Sequence, residues 1–105
     1  MIEINKFIKN GKSPFDERFK KIKDLRAKSR ITARLTRLAM GNYGDKRQLD
    51  ENLFELKIDV GAGWRVYYTM QGEEVVLLML VGDKPKQRKD IDQVRNWLHE
   101  LNKTD

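Results

Sequence analysis

Residues 53–81 read LFELKIDVGAGWRVYYTMQGEEVVLLMLV, and the period of this stretch decides the fold. Phe54, Leu56, Ile58 and Val60 alternate with Glu55, Lys57 and Asp59. After Gly61-Ala62-Gly63, the residues Trp64, Val66, Tyr68 and Met70 alternate with Arg65, Tyr67 and Thr69. Two runs of period two joined by a glycine-rich turn predict a β-hairpin. Gln71-Gly72 marks the next turn, and Val75–Val81 is apolar at every position. A strand with no polar face belongs at the centre of a sheet, covered on both sides.

The simplest hairpin register pairs Val60 with Trp64. Phe54, Leu56, Ile58 and Val60 then share one face with Trp64, Val66, Tyr68 and Met70, and this face packs on helices. Lys57, Arg65 and Tyr67 share the opposite, open face with Glu55 and Asp59. That face offers an ammonium, a guanidinium and a phenol, groups suited to phosphate and to base stacking. The same register sets Asp59 opposite Arg65. On charge and spacing alone a cross-strand ion pair is the stronger reading of Arg65.

Working outward, Met1–Lys9 alternates weakly and predicts a short strand. Ser13-Pro14-Phe15-Asp16 is a helix start, with Ser13 as cap and Pro14 in the first turn. Phe15, Phe19, Ile22 and Leu25 follow at helical spacing on one face. A second helix is expected from about Ser29 to Met40, with Ile31, Leu35 and Leu38 buried and Arg30, Arg34 and Arg37 beside them. Gly41–Asp45 stops it, and Lys46–Asn52 reads as a polar loop. Gly82-Asp83-Lys84 follows the central strand as either an anion-binding helix start or a turn capped by Asp83. A last helix covers roughly Pro85–Asn102, burying Ile91, Val94, Leu98 and Leu101. Trp97 falls at the edge of that stripe, and His99 reads as a surface residue near the helix end. The order β-α-α-β-β-β-α predicts one α+β domain over residues 1–105, a small antiparallel sheet with two N-terminal helices on one face and a C-terminal helix.

Composition narrows the chemistry. The 105 residues fit one domain, and 39% hydrophobic content supports a core of modest size. A net charge of +6 favours polyanionic partners, nucleic acid or acidic protein. The absence of cysteine excludes disulfides, thiolate catalysis and cysteine zinc sites, and a single histidine excludes a His-rich metal site. No metal or other cofactor is expected. The N-terminus does not read as a signal peptide, and no apolar run approaches the roughly 20 residues of a membrane helix. A cytoplasmic protein without membrane contact is the expectation.

Two segments carry a family likeness. Gly61-Ala62-Gly63-Trp64-Arg65-Val66-Tyr67-Tyr68 resembles the GPGYRVYY segment of the addiction-module killer proteins, the phage-related, HigB-like branch of the RelE/ParE toxin superfamily. Gly82–Ile91 resembles the GDKxxQxxDI segment of the same group, and Leu53–Lys57 its preceding strand. Ala62 and Trp64 replace a usual proline and tyrosine, and Lys57 stands where arginine is common.

The resemblance implies a RelE-like fold and the toxin of a type II toxin–antitoxin pair, acting as an endoribonuclease on mRNA, commonly on the ribosome. In that chemistry a 2′-OH attacks the adjacent phosphate, leaving a cyclic phosphate and a free 5′-OH, and cationic side chains stabilise the charge that builds. Carried over by position, Arg65 meets the scissile phosphate, Lys57 is the second phosphate contact, and Lys84 stabilises charge or moves a proton. Tyr67 and Gln87 become RNA-binding residues, with Lys46 and Arg47 as loop contacts to the RNA backbone. The implied partners are mRNA, the ribosome and a cognate antitoxin of helix-turn-helix type, with operator DNA reached through the antitoxin. The superfamily also holds toxins that poison gyrase without cutting RNA, so a non-enzymatic toxin and a plain nucleic-acid or antitoxin-binding module stand as alternatives.

Overall fold

A computed structural model describes residues 1–103. The elements are β1 (Glu3–Lys6), α1 (Pro14–Phe19), α2 (Leu25–Ala39), β2 (Lys46–Asp50), β3 (Leu53–Ile58), β4 (Trp64–Gln71), β5 (Val75–Asp83), a 3-10 turn (Lys84–Lys86) and α3 (Gln87–Lys103). The class is α+β. The sheet has five strands in the order β1-β5-β4-β3-β2. It is mixed, not wholly antiparallel as expected: β1 runs parallel to β5, and the other neighbours are antiparallel.

Two expected boundaries are corrected. The expected loop at Lys46–Asn52 is largely a strand, β2, paired to β3 through Lys46↔Leu56 and Arg47↔Glu55. An edge strand has one neighbour and a solvated rim, so charged residues there are protective, and no apolar alternation is required. The first helix stops at Phe19 and does not reach Leu25. Asp24 starts the second helix instead, its carboxylate accepting from the backbone N–H of Arg26 at 3.0 Å and Ala27 at 3.2 Å. Leu25 continues the apolar spacing of α1 but opens α2, where its side chain is exposed.

Both faces of the sheet are covered. On one, α1 and α2 bury Phe15, Ala27, Ile31 and Leu38 against Leu56, Ile58, Val66, Tyr68, Val76, Leu78 and Val81. On the other, Val94 of α3 meets Leu53, Tyr67, Leu77, Met79 and Leu80. Trp97 packs on Phe7 with ring centroids 5.6 Å apart and the rings tilted by 34°. A bulge between Tyr67 and Tyr68, paired with Leu80 and Leu78, leaves Met79 unopposed, so Met79 and Leu80 both join the α3 side. The apolar run of β5 is thus explained by its place between β1 and β4. Among the described residues, no helix is long and apolar enough to cross a membrane.

Tyr68 lies in the α2 core with its hydroxyl buried and without a hydrogen-bond partner. Burial is the main cause that pushes its phenol above the ordinary value of 10.0. Tyr68→Phe removes a desolvated donor at little change of shape and is expected to be neutral or to stabilise by about 1 kcal/mol. Since the folded-state value is raised, the tyrosine's contribution is intact below pH 10 and is lost as the pH climbs toward the folded value. Thermal melts across the alkaline range should therefore fall less steeply for the variant. A steeper fall, or a lower melting temperature at neutral pH, would contradict this.

Candidate functional site

The hairpin places the site. Its observed register pairs Ile58 with Trp64, Lys57 with Arg65 and Glu55 with Tyr67. The expected pairing of Val60 with Trp64 is therefore two residues out. Asp59–Gly63 forms the longer loop, closed by Gly63 N–H donating to the Val60 carbonyl at 3.0 Å, with Gly61 and Gly63 at positive φ. A shift of two leaves every side chain on its face, so Glu55, Lys57, Arg65 and Tyr67 still align. It does remove the Asp59–Arg65 ion pair. Asp59 lies 3.9 Å from Lys57 Nζ instead.

The face these residues share is not open, because the start of α3 and the turn before it close over it. Arg65 is only 5% exposed. Its Nε and Nη1 are buried and have no hydrogen-bond partner. Across the sheet Arg65 pairs with Gly82. A Cβ at Gly63 would stand 3.0 Å from Arg65 Nη1 and 3.6 Å from Lys84 Cβ, so the guanidinium and Lys84 lie against the same glycine. The Lys84 N–H donates to the Gly63 carbonyl at 2.7 Å, which binds the 3-10 turn to the hairpin loop. A guanidinium cannot shed its charge to relieve burial, so two unpaired donors there carry a cost that an oxyanion would remove. Lys57 and Lys84 are exposed beside it. Together they make a buried guanidinium flanked by two exposed cations at the end of the sheet.

The other expected site residues do different work. Tyr67 is fully buried, so it has no face to offer a base; its hydroxyl is also unpartnered. Burial first, then the Glu55 and Asp90 carboxylates, push its phenol up. Gln87 Nε2 donates to Glu55 Oε2 at 2.8 Å, tying the first residue of α3 to β3. Arg47 reaches the other Glu55 oxygen at 3.4 Å from the rim of β2. Lys46 points away, its ammonium 4.2 Å from the Tyr43 ring on the α2 side, and does not join the group. His99 is exposed, twelve residues along α3 from Gln87, or about 18 Å away.

The chain is similar to an uncharacterized protein of Haemophilus influenzae, 46% identical over 87 residues that cover 83% of this chain and 88% of the relative. It belongs to the family of that Haemophilus protein. No family model matches it. In this member of the Haemophilus family, Arg18, Asp90, Gly82 and Glu55, which spacing left without a role, hold the site in place. Arg18 of α1 donates to both carboxylate oxygens of Asp90, at 3.1 and 3.3 Å, and to the Val81 carbonyl at 3.2 Å. Gly82 makes room for that carboxylate, since a Cβ there would collide with Asp90 Oδ2. Glu55 is 3% exposed and holds Gln87. Asp83 caps the 3-10 turn by accepting from Lys86 N–H at 3.3 Å, which makes Gly82–Lys84 the capped turn of the two readings. Asp90 does carry a sequence signal, since it shares the GDKxxQxxDI-like segment with Lys84 and Gln87.

Proposed function

We propose that this chain is the toxin of a type II toxin–antitoxin pair with a RelE-like fold, and that it cleaves mRNA during translation without a metal ion. The observation that carries the reading is the buried, unpaired Arg65 guanidinium with Lys57 across the ladder and Lys84 against the same turn. The likeness of Gly61–Tyr68 and Gly82–Ile91 to the killer-protein segments supports it. In the proposed reaction the 2′-OH of one nucleotide gives up its proton to solvent water as its oxygen bonds the adjacent phosphorus, and the bond from that phosphorus to the 5′-oxygen of the next nucleotide breaks. The products are a 2′,3′-cyclic phosphate and a free 5′-OH. Arg65 bonds the non-bridging oxygens as charge builds, an interaction strengthened by exclusion of water. Lys57 and Lys84 supply the second phosphate contact and the proton to the leaving oxygen. Tyr67 is not assigned the base, because burial and the Glu55 and Asp90 carboxylates hold its phenol neutral. The reading places the protein in the cytoplasm, acting on mRNA at the ribosome and neutralised by a helix-turn-helix antitoxin, through which it meets operator DNA.

The test is growth arrest on expression, with mapping of new 5′ ends after the protein is mixed with translating ribosomes and mRNA. Arrest without new ends would refute cleavage. The same burial of Tyr67 favours a second reading, a toxin that binds a host protein such as gyrase, since it leaves only lysines to move protons. DNA supercoiling assays separate the two. No effect on growth at all would leave a plain binding module.

A further inference from the structure

On the opposite side of the sheet end from Arg65 lies a pocket of about 220 Å³. Trp64, Arg18, Lys21, Ile22, Asp83 and Lys86 line it. We infer that this pocket is a base-stacking subsite for single-stranded RNA, with Trp64 as the platform and Lys21 and Lys86 on the flanking phosphate. The inference rests on the nuclease reading above and names where the strand goes beyond Arg65.

Three observations support it. Trp64 is partly exposed, yet its indole Nε1 is buried without a partner. The indole N–H is thus turned away from solvent while the residue lines the pocket, and an aromatic ring there is a surface on which any base can stack. Tyr67, expected to stack, is fully buried, so Trp64 is the aromatic residue of the YRVYY-like segment left accessible in that role. Next, two of the three cations of the pocket form no ion pair in the fold. Lys21 and Lys86 are exposed, and neither forms an ion pair among the described residues. Arg18 is committed to Asp90, and Asp83 to the backbone of the turn. Two available ammonium groups beside an aromatic platform fit a ligand that joins a flat ring to an anion.

The last observation is continuity. Trp64 and Arg65 are successive residues of β4, so they project to opposite faces of the sheet. The 3-10 turn straddles the same edge. Lys84 lies with Arg65 against Gly63, while Lys86 lines the Trp64 pocket. A strand laid over the end of the sheet thus meets a cation on each side of the edge, with the phosphate fork on one side and the stacking ring on the other. The volume suits one base and excludes a drug-sized ligand.

The test uses the full chain carrying Trp97→Phe, so that Trp64 is the only indole. A labelled, short 2′-O-methyl oligoribonucleotide, which cannot be cut, is titrated in. Label anisotropy reads binding, and indole emission reads contact with Trp64. Quenching that follows the binding curve is expected. Trp64→Leu should weaken binding about tenfold, Trp64→Phe less, and Lys21→Ala with Lys86→Ala should flatten the salt dependence. Thermal melts confirm that each variant is folded, and Trp64→Phe keeps the test valid if the leucine variant is not. Absence of binding, binding without quenching, or unchanged affinity in both Trp64 variants would overturn the subsite. A nucleoside monophosphate that quenches as well as the oligomer would overturn the strand path. mRNA cleavage is scored in parallel. Quenching without cleavage removes the nuclease reading and keeps the subsite. Cleavage with binding indifferent to Trp64 does the reverse.

Discussion

Arg65→Met is expected to abolish growth arrest and, at the same time, to raise the melting temperature. The two effects have one cause. The side chain is buried with Nε and Nη1 unpaired, so in the free protein it pays for desolvation and receives nothing in return. Methionine fills similar space without a polar atom, and relief of the buried donors should stabilise by about 1–2 kcal/mol. In a domain of this size each kcal/mol moves the melting midpoint by about 4–8 °C. Loss of the fork should slow RNA cleavage by about 100- to 1000-fold, the usual range for removal of one preorganised donor. Arg65→Lys keeps the charge but loses the bidentate geometry, and should fall between the two. Differential scanning fluorimetry and end-mapped cleavage check the pair of outcomes. A destabilised Arg65→Met protein, or one that still arrests growth, would refute the assignment of Arg65 as a residue held for its ligand.

Gly82→Ala is expected to cost about 3–5 kcal/mol, a large share of what a small domain possesses. The reason is steric, and it acts through an ion pair. A Cβ at this position would meet Asp90 Oδ2 well inside contact distance and stand 3.0 Å from Arg18 Nη1. Asp90 is 3% exposed and held by both arms of the Arg18 guanidinium, so it cannot swing aside without breaking that fork. Either β5 parts from α3 or a buried carboxylate loses its partner. Asp90→Ala removes the obstacle, at the expense of the pair, and Arg18 retains the Val81 carbonyl. In that background Gly82→Ala should add little, so the double variant should resemble Asp90→Ala alone. Urea unfolding of all four proteins measures the cycle. Additive losses would show that Gly82 is needed for some other reason.

Much of the architecture is legible in residues 53–81. The alternation of β3 and β4 and the apolar run of β5 place those strands correctly, and the register error of two residues preserves every face. What sequence reading misses has physical reasons. β2 has a solvated rim, so its strand carries no apolar period. Leu25 continues the spacing of Phe15 and Phe19, which hides the Asp24 cap one position before it. The stripe of Ile91, Val94 and Leu98 announces an amphipathic helix but not which face it will cover. That one unknown turns an open face into a closed one, burying Arg65 and Tyr67. Lys57 and Arg65 can be grouped from the hairpin pattern and Lys84 joins them through the resemblance, whereas the ties of Gln87 to Glu55 and of Asp90 to Arg18 emerge only in three dimensions.

The pairing of β1 with β5 bears on how the molecule is made. Glu3 is matched with Val75 and Lys6 with Leu78, so β1 waits during synthesis for a strand about seventy residues further along the chain. The hairpin of β3 and β4 closes over a short stretch of chain and can form early. The β1 edge needs a loop of some seventy residues brought together, the kind of long-range closure that slows folding. Until then one rim of β5 stands uncovered, a template for pairing with another chain. During translation β1 therefore remains without its partner until β2, β3 and β4 have been made and β5 has followed them.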